Sequence, residues 1–136
     1  MRVTILLTIA VLLGVAAGAV IEQGTTEVTL FAGGALILVG LPLLVVARRQ
    51  LGSAFAFTPQ AKGLVTQGLY SRIPHPMYVF LDIALLGGII VLRQLWLLVL
   101  WATLVAAQVL QAGREAKILE RAFGDVYRNY RLRTWW

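Results

Sequence analysis

Cysteine is absent from the 136 residues, which excludes disulfides, thiolate metal sites, a cysteine nucleophile and S-palmitoylation. Histidine occurs once, as His75, too few for a transition-metal site built from protein ligands, so no metal is expected. Charge is scarce as well. Asp, Glu, Lys and Arg make up 13% of the chain, against about 25% in a soluble domain. With 60% hydrophobic residues and a mean hydropathy of +0.84, the polar groups cannot coat a water-soluble globule of this length. The composition is that of one membrane domain.

Four apolar runs organise the chain. Val3 to Ile21 is uncharged and carries Gly14 and Gly18 at small-xxx-small spacing. Val28 to Ala47 is uncharged too, and its Pro42 predicts a kink. Met77 to Leu92 is interrupted only by Asp82, and Leu95 to Leu110 follows after Arg93 and Gln94. The expected fold is therefore all-α and polytopic: spans over 3–21, 28–47, 77–92 and 95–111, the last two forming a helical hairpin, then an amphipathic cytoplasmic helix over 112–131. Residues 48–76 form the one long connection.

The net charge of +6 becomes informative once the charges are located. Eleven of the twelve basic residues fall on one side of this four-pass arrangement, and only Arg93 falls on the other, beside Glu22 and Glu27. That asymmetry is a positive-inside signal and places both termini in the cytoplasm. Topology and attraction to lipid headgroups account for the basic excess, so nucleic acid is not an expected partner. The compact size points to the inner or plasma membrane of a prokaryote. The first run has a second explanation: Arg2, a short apolar stretch and the small residues Ala16, Ala17, Gly18 and Ala19 also fit a cleaved secretory leader. Both explanations orient the other helices alike.

Beyond the spans, residues 112–130 carry Ile118, Leu119, Ala122, Phe123, Val126, Tyr127 and Tyr130 as one apolar stripe. Its plain reading is a helix on the membrane surface, with Trp135 and Trp136 in the interfacial zone. The polar chemistry lies elsewhere. Gly68-Leu69-Tyr70-Ser71-Arg72-Ile73-Pro74-His75-Pro76-Met77-Tyr78 gathers a histidine between two prolines and two flanking tyrosines at the mouth of the third span. The prolines stiffen the backbone on both sides of the imidazole. For the tyrosines alone, an aromatic belt at a helix start explains as much. A hairpin of two equal helices returns the chain to the same membrane face, which puts Glu115 near His75. Taken singly, Glu115 reads as an acid at the start of the C-terminal helix, interacting with its dipole.

Three segments in order make the chain resemble the isoprenylcysteine carboxyl methyltransferase and phospholipid methyltransferase family. They are Lys62-Gly63-Leu64-Val65-Thr66-Gln67-Gly68-Leu69-Tyr70, then Pro74-His75-Pro76-Met77-Tyr78, then Glu115 with Leu119, Phe123-Gly124, Tyr127 and Tyr130. The resemblance covers roughly Gln60 to Arg133 and implies methyl transfer from S-adenosylmethionine to a hydrophobic or lipid-like acceptor drawn from the bilayer. By the same resemblance, Gln60, Lys62, Gly63, Leu64 and Val65 line the cofactor, Tyr70, His75, Pro76 and Tyr78 wall it, and Glu115 holds one of its polar groups. The chemistry agrees with the residues present. An activated methyl donor needs positioning and exclusion of water more than a covalent nucleophile. A carboxylate acceptor needs no base; for an amine, His75 or Glu115 is the candidate.

The departures bear on the acceptor. Pro74 stands where the family has Arg before His-Pro, with Arg72 two residues away as the substitute cation; Ala116 replaces a second Glu, and Gln111 replaces a substrate-side Arg. They leave carboxyl, amine and thiol acceptors open and motivate a rival class, a non-enzymatic membrane scaffold that keeps the fold. Cofactor binding separates the two. Asp82, a carboxylate inside an apolar helix, has two readings: a lining residue of the active-site cavity, or a structural hydrogen bond to Gln108 on the adjacent helix.

Overall fold

A computed structural model describes residues 2–52 and 64–135. Among them the architecture is all-α: α1 (Arg2–Gln23), α2 (Thr26–Leu51), a single 3₁₀ turn (Gly68–Ser71), α3 (Pro76–Leu92) and α4 (Trp96–Arg133). Three helices are long and apolar enough to cross a membrane, over Thr4–Gln23, Thr26–Leu51 and Trp96–Arg133; α3 is shorter, at 17 residues. The molecule is a multi-pass membrane protein with an outer surface apolar in the manner lipid requires. Phe31, Leu38 and Leu12 point outward, Phe31 at 84% exposure.

One boundary differs from the sequence expectation. No helix starts at residues 112–115, because α4 runs from Trp96 through Gly113 to Arg133, with one break at Gly124 (φ 50°, ψ −123°). Glu115 thus lies inside a helix, and the dipole account of it is withdrawn: its neighbouring backbone amides are committed to the helix. Pro42, where a kink is expected, sits within α2, which continues to Leu51.

Local chemistry explains the ends. The Thr25 side chain accepts from the Val28 amide at 3.3 Å and caps α2, whose last turn carries Arg48 and Arg49 against the helix dipole. Pro76 opens α3 at a position where no amide donor is needed. Arg93 closes α3 in the left-handed conformation (φ 53°).

Arg93, the basic residue the charge count left isolated, has a structural task. Its guanidinium donates to the carbonyls of Gly24 and Ile21, both at 2.9 Å, and to the Thr29 hydroxyl at 3.3 Å. The α3–α4 turn is thereby clipped to the α1–α2 turn, and the closing carbonyls of α1 gain a charged donor. Arg93→Ala is expected to lower stability by about 2 kcal/mol in detergent unfolding, the loss typical of hydrogen bonds from a charged group.

Close helix contact supplies the rest. Gly33 and Gly40 of α2 meet Gly87 and Ala84 of α3 with backbone against backbone: a Cβ on Gly33 would lie 2.5 Å from the Gly87 carbonyl oxygen, and one on Gly40 2.8 Å from the Ala84 amide nitrogen. Gly14 and Gly18 of α1 face Trp101 and Leu98 of α4. One apolar core joins Ala17, Ile21, Leu86, Ile89, Ile90, Trp101 and Val105 toward the Arg93 end. At the opposite end Ala47, Tyr70 and Phe80 form a second, against which Val65, Leu69, Ile73 and Met77 pack. That second core holds the loop before α3 on the bundle.

Candidate active site

The loop before α3 is fixed by four contacts with distant elements. Gly68 turns it with φ 60°, and the Leu69 amide donates to Gln50 Oε1 at 2.8 Å, tying it to the end of α2. The buried Tyr70 ring enters the second core. From the far end of the chain, the Tyr130 hydroxyl donates to the Tyr70 carbonyl at 2.7 Å, and the Trp135 amide donates to the Arg72 carbonyl at 2.9 Å. The Gly124 break redirects α4 so that its final turns act as a strap over this loop. Tyr130→Phe would leave a buried carbonyl without a donor, and thermal unfolding should register a loss of about 1–2 kcal/mol.

What the loop presents is a compact polar cluster. The His75 and Tyr78 rings stack with centroids 5.5 Å apart and planes within 12°. Tyr78 donates its hydroxyl proton to Glu115 Oε1 at 3.2 Å, while His75 Nδ1 lies 3.4 Å from Glu115 Oε2. One carboxylate of α4 therefore meets both ring partners from α3 and the residue before it. Gln111, one turn earlier on α4, lies close enough for its amide to favour the charged form of Glu115, against burial, which raises its pKa. Residue 111 carries an amide where the family pattern has a cation, and here the amide braces the carboxylate.

His75 is held neutral. Burial first, and the Arg131 charge second, push its pKa down to about 4 from the usual 6.5. A histidine depressed on folding contributes stability that is complete above its unfolded pKa and is lost as pH falls toward its folded one. Thermal stability should therefore decline between about pH 6.5 and 4. His75→Asn, which cannot titrate, should remove that part of the decline, and the difference between the two melting curves isolates it from Glu115. Tyr70 and Tyr130 have phenol pKa values pushed up, chiefly by burial, so both remain protonated donors.

The other expected site residues divide clearly. Pro76 is fully buried beneath the cluster, and Val65 packs into the second core while Leu64 is half-buried. Gln60, Lys62 and Gly63 lie outside the described residues. Arg72 is exposed, and its carbonyl is engaged by the strap. Asp82 sits one turn below Tyr78 on α3, near the buried Gln108 of α4, with its Oδ1 buried and without a hydrogen-bond partner. Asp82 and Tyr78 on α3, facing Gln108, Gln111 and Glu115 on α4, make one polar seam running from the cluster into the apolar bundle. Among the described residues, no group of three or more His, Asp or Glu side chains is placed to hold a metal.

Sequence reasoning missed Arg131 and the two strap contacts. Their only local signal was Gly124, a glycine interrupting an apolar helical stripe, the usual mark of a helix break.

A family model for phospholipid methyltransferases matches residues 28–126. The chain belongs to that family. The matched region of this phospholipid methyltransferase family member runs from α2 past Glu115 to just beyond the Gly124 break, so His75, Tyr78, Asp82 and Glu115 all lie within it. The strap residues Tyr127, Tyr130 and Arg131 lie beyond it. Comparison with curated proteins and with solved structures returns no match.

Proposed function

We propose that this family member transfers a methyl group from S-adenosylmethionine to a lipid-like acceptor, at a site centred on His75, Tyr78 and Glu115. The observation that carries the reading is the convergence of these three side chains, with Glu115 brought from 37 residues beyond Tyr78 to meet the His75–Tyr78 pair. In this reading α3 makes a fourth crossing, since 17 residues at ~1.5 Å each reach the lower limit for a span. Both termini are cytoplasmic, and the polar part of α4 lies at the headgroup layer with its exposed Arg114, Lys117 and Arg121.

The residues suit such a cofactor. S-adenosylmethionine supplies a methyl group already activated on a sulfonium. Glu115 offers a carboxylate to a hydroxyl or ammonium group, and the stacked His75–Tyr78 pair offers an aromatic wall. The cluster is half-buried and the strap fixes its loop, so the chain contributes orientation rather than a covalent step. Where the acceptor is an amine, Glu115, whose carboxyl pKa burial pushes up, suits the base better than a His75 imidazole pushed down to about 4, which holds a proton poorly at neutral pH. An acyl or prenyl chain of the acceptor would lie in the bilayer beside α3 and α4.

Calorimetry with S-adenosylmethionine on the detergent-purified protein tests the proposal. Micromolar binding supports it. A well-folded protein without affinity for this cofactor would sink it and favour a scaffold that keeps the family fold.

A further inference from the structure

The latter part of α4 carries charges that the cluster around Glu115 does not use. Lys117 lies two residues beyond Glu115, hence about 200° around the helix from it. On that far side an open cleft of about 240 Å³ is lined by Lys117, Glu120, Arg121 and Arg128. The Gly124 break builds it. Glu120 and Arg128 are eight residues apart, about 12 Å along a straight helix, yet Arg128 Nε donates to Glu120 Oε1 at 2.9 Å. Arg128 Nη1 donates to Asp125 Oδ1, also at 2.9 Å. The two neighbouring carboxylates are thereby spent on one guanidinium. Lys117 and Arg121, one turn apart on one face, have no ion-pair partner among the described residues. The cleft thus presents two unbalanced cations beside a guanidinium held in place, a complement to an anionic oxygen group.

Apolar side chains beside the cleft say where that group comes from. Beyond the break, Leu132 stands one turn from Arg128 on the same face and is 79% exposed; Val126 and Trp135 are exposed as well. Exposed apolar groups interleaved with cations fit the boundary where phosphates lie just above the acyl chains. We propose that the Lys117–Arg121–Arg128 cleft binds the phosphate of an anionic phospholipid headgroup, at a place separate from the His75–Tyr78–Glu115 cluster. This lipid is held, not methylated. Guanidinium forks and an ammonium are well suited to phosphate. A headgroup bound there would engage the chain on both sides of the Gly124 break and so steady the strap over the loop. The proposal stands independently of the methyltransferase reading.

Calorimetry in neutral detergent at physiological salt tests it with dihexanoylphosphatidylglycerol, dihexanoylphosphatidylcholine and inorganic phosphate. Two double variants are compared with the wild type. Lys117→Gln/Arg121→Gln removes the unbalanced cations; Arg49→Gln/Arg133→Gln makes the same change in net charge at exposed residues that do not line the cleft. The wild type should bind the anionic lipid about tenfold more tightly than the choline lipid, and the cleft pair should lose about tenfold while the charge-matched pair stays within about twofold. Both altered cleft side chains are exposed and unpaired, so the melting temperature without lipid should match the wild type. If the double variant does not survive purification, each single change should cost about threefold. Equal losses in the two pairs would reduce the effect to overall charge and overturn the site. Equal affinity of the wild type for the two lipids would overturn it too. Inorganic phosphate that binds as tightly as the anionic lipid, and is lost with Lys117 and Arg121, would assign the cleft to a soluble phosphate and overturn the lipid assignment.

Discussion

Glu115→Ala is expected to reduce S-adenosylmethionine affinity by about 30- to 100-fold, the equivalent of roughly 2–3 kcal/mol. The size of the effect follows from how many groups converge on one carboxylate. Tyr78 donates to it, Gln111 braces it, and His75 Nδ1 sits 3.4 Å away. Removing it takes away the ligand's partner and also leaves a half-buried phenol and amide without theirs. Glu115→Gln keeps the length and one acceptor oxygen and should recover much of the affinity. His75→Ala removes the stacking partner of Tyr78 and should cost about tenfold. Calorimetry on the three variants decides it, with circular dichroism as the check on folding. Wild-type affinity in Glu115→Ala would move the cofactor site away from this cluster.

The largest stability effect should come from the α2–α3 contact. Gly33→Leu or Gly87→Leu would drive a side chain into the opposing backbone, since each Cβ already falls within 2.6 Å of a carbonyl oxygen of the other helix. Backbone cannot yield as a flexible side chain does. We expect losses of about 3 kcal/mol or more, above the usual cost of an overfilled core. Gly34 and Gly88 are the internal controls: nothing lies within 4 Å of a Cβ on either, so Gly34→Ala and Gly88→Ala should be neutral or slightly stabilising. Unfolding in mixed detergent measures all four. If Gly87→Leu melts with the wild type, the helices do not meet as described.

The contrast between adjacent glycines marks how far the sequence could be read. Uninterrupted apolar runs announce helices because burial and lipid exposure both demand apolar side chains, and the four runs became four helices. The pairing of His75 with Glu115 was legible for a similar reason: a hairpin of two near-equal helices has to bring its ends together. Which glycine of each pair faces a neighbour was not legible, since Gly33 and Gly34 differ only in helical rotation. The unbroken course of α4 through Gln111, Ala112 and Gly113 was misread as a boundary, because polar residues at a bilayer surface look the same whether the helix stops or continues. The role of Tyr130 escaped for the deeper reason that a side chain reaching a carbonyl sixty residues away leaves no periodic trace.

That separation also sets an order of assembly. The loop carrying His75 is held by Gln50 and by the Tyr70 ring in the second core, yet its other two fastenings come from Tyr130 and Trp135. At ~5–20 residues per second, the ribosome reaches Tyr130 roughly 3–12 s after Tyr70. During that interval the α3–α4 hairpin can already form in the membrane while the loop has only half of its attachments. A nascent chain arrested before Tyr127 would carry His75, Tyr78 and Glu115, and so nearly every group of the cluster, on a loop that nothing yet holds from above.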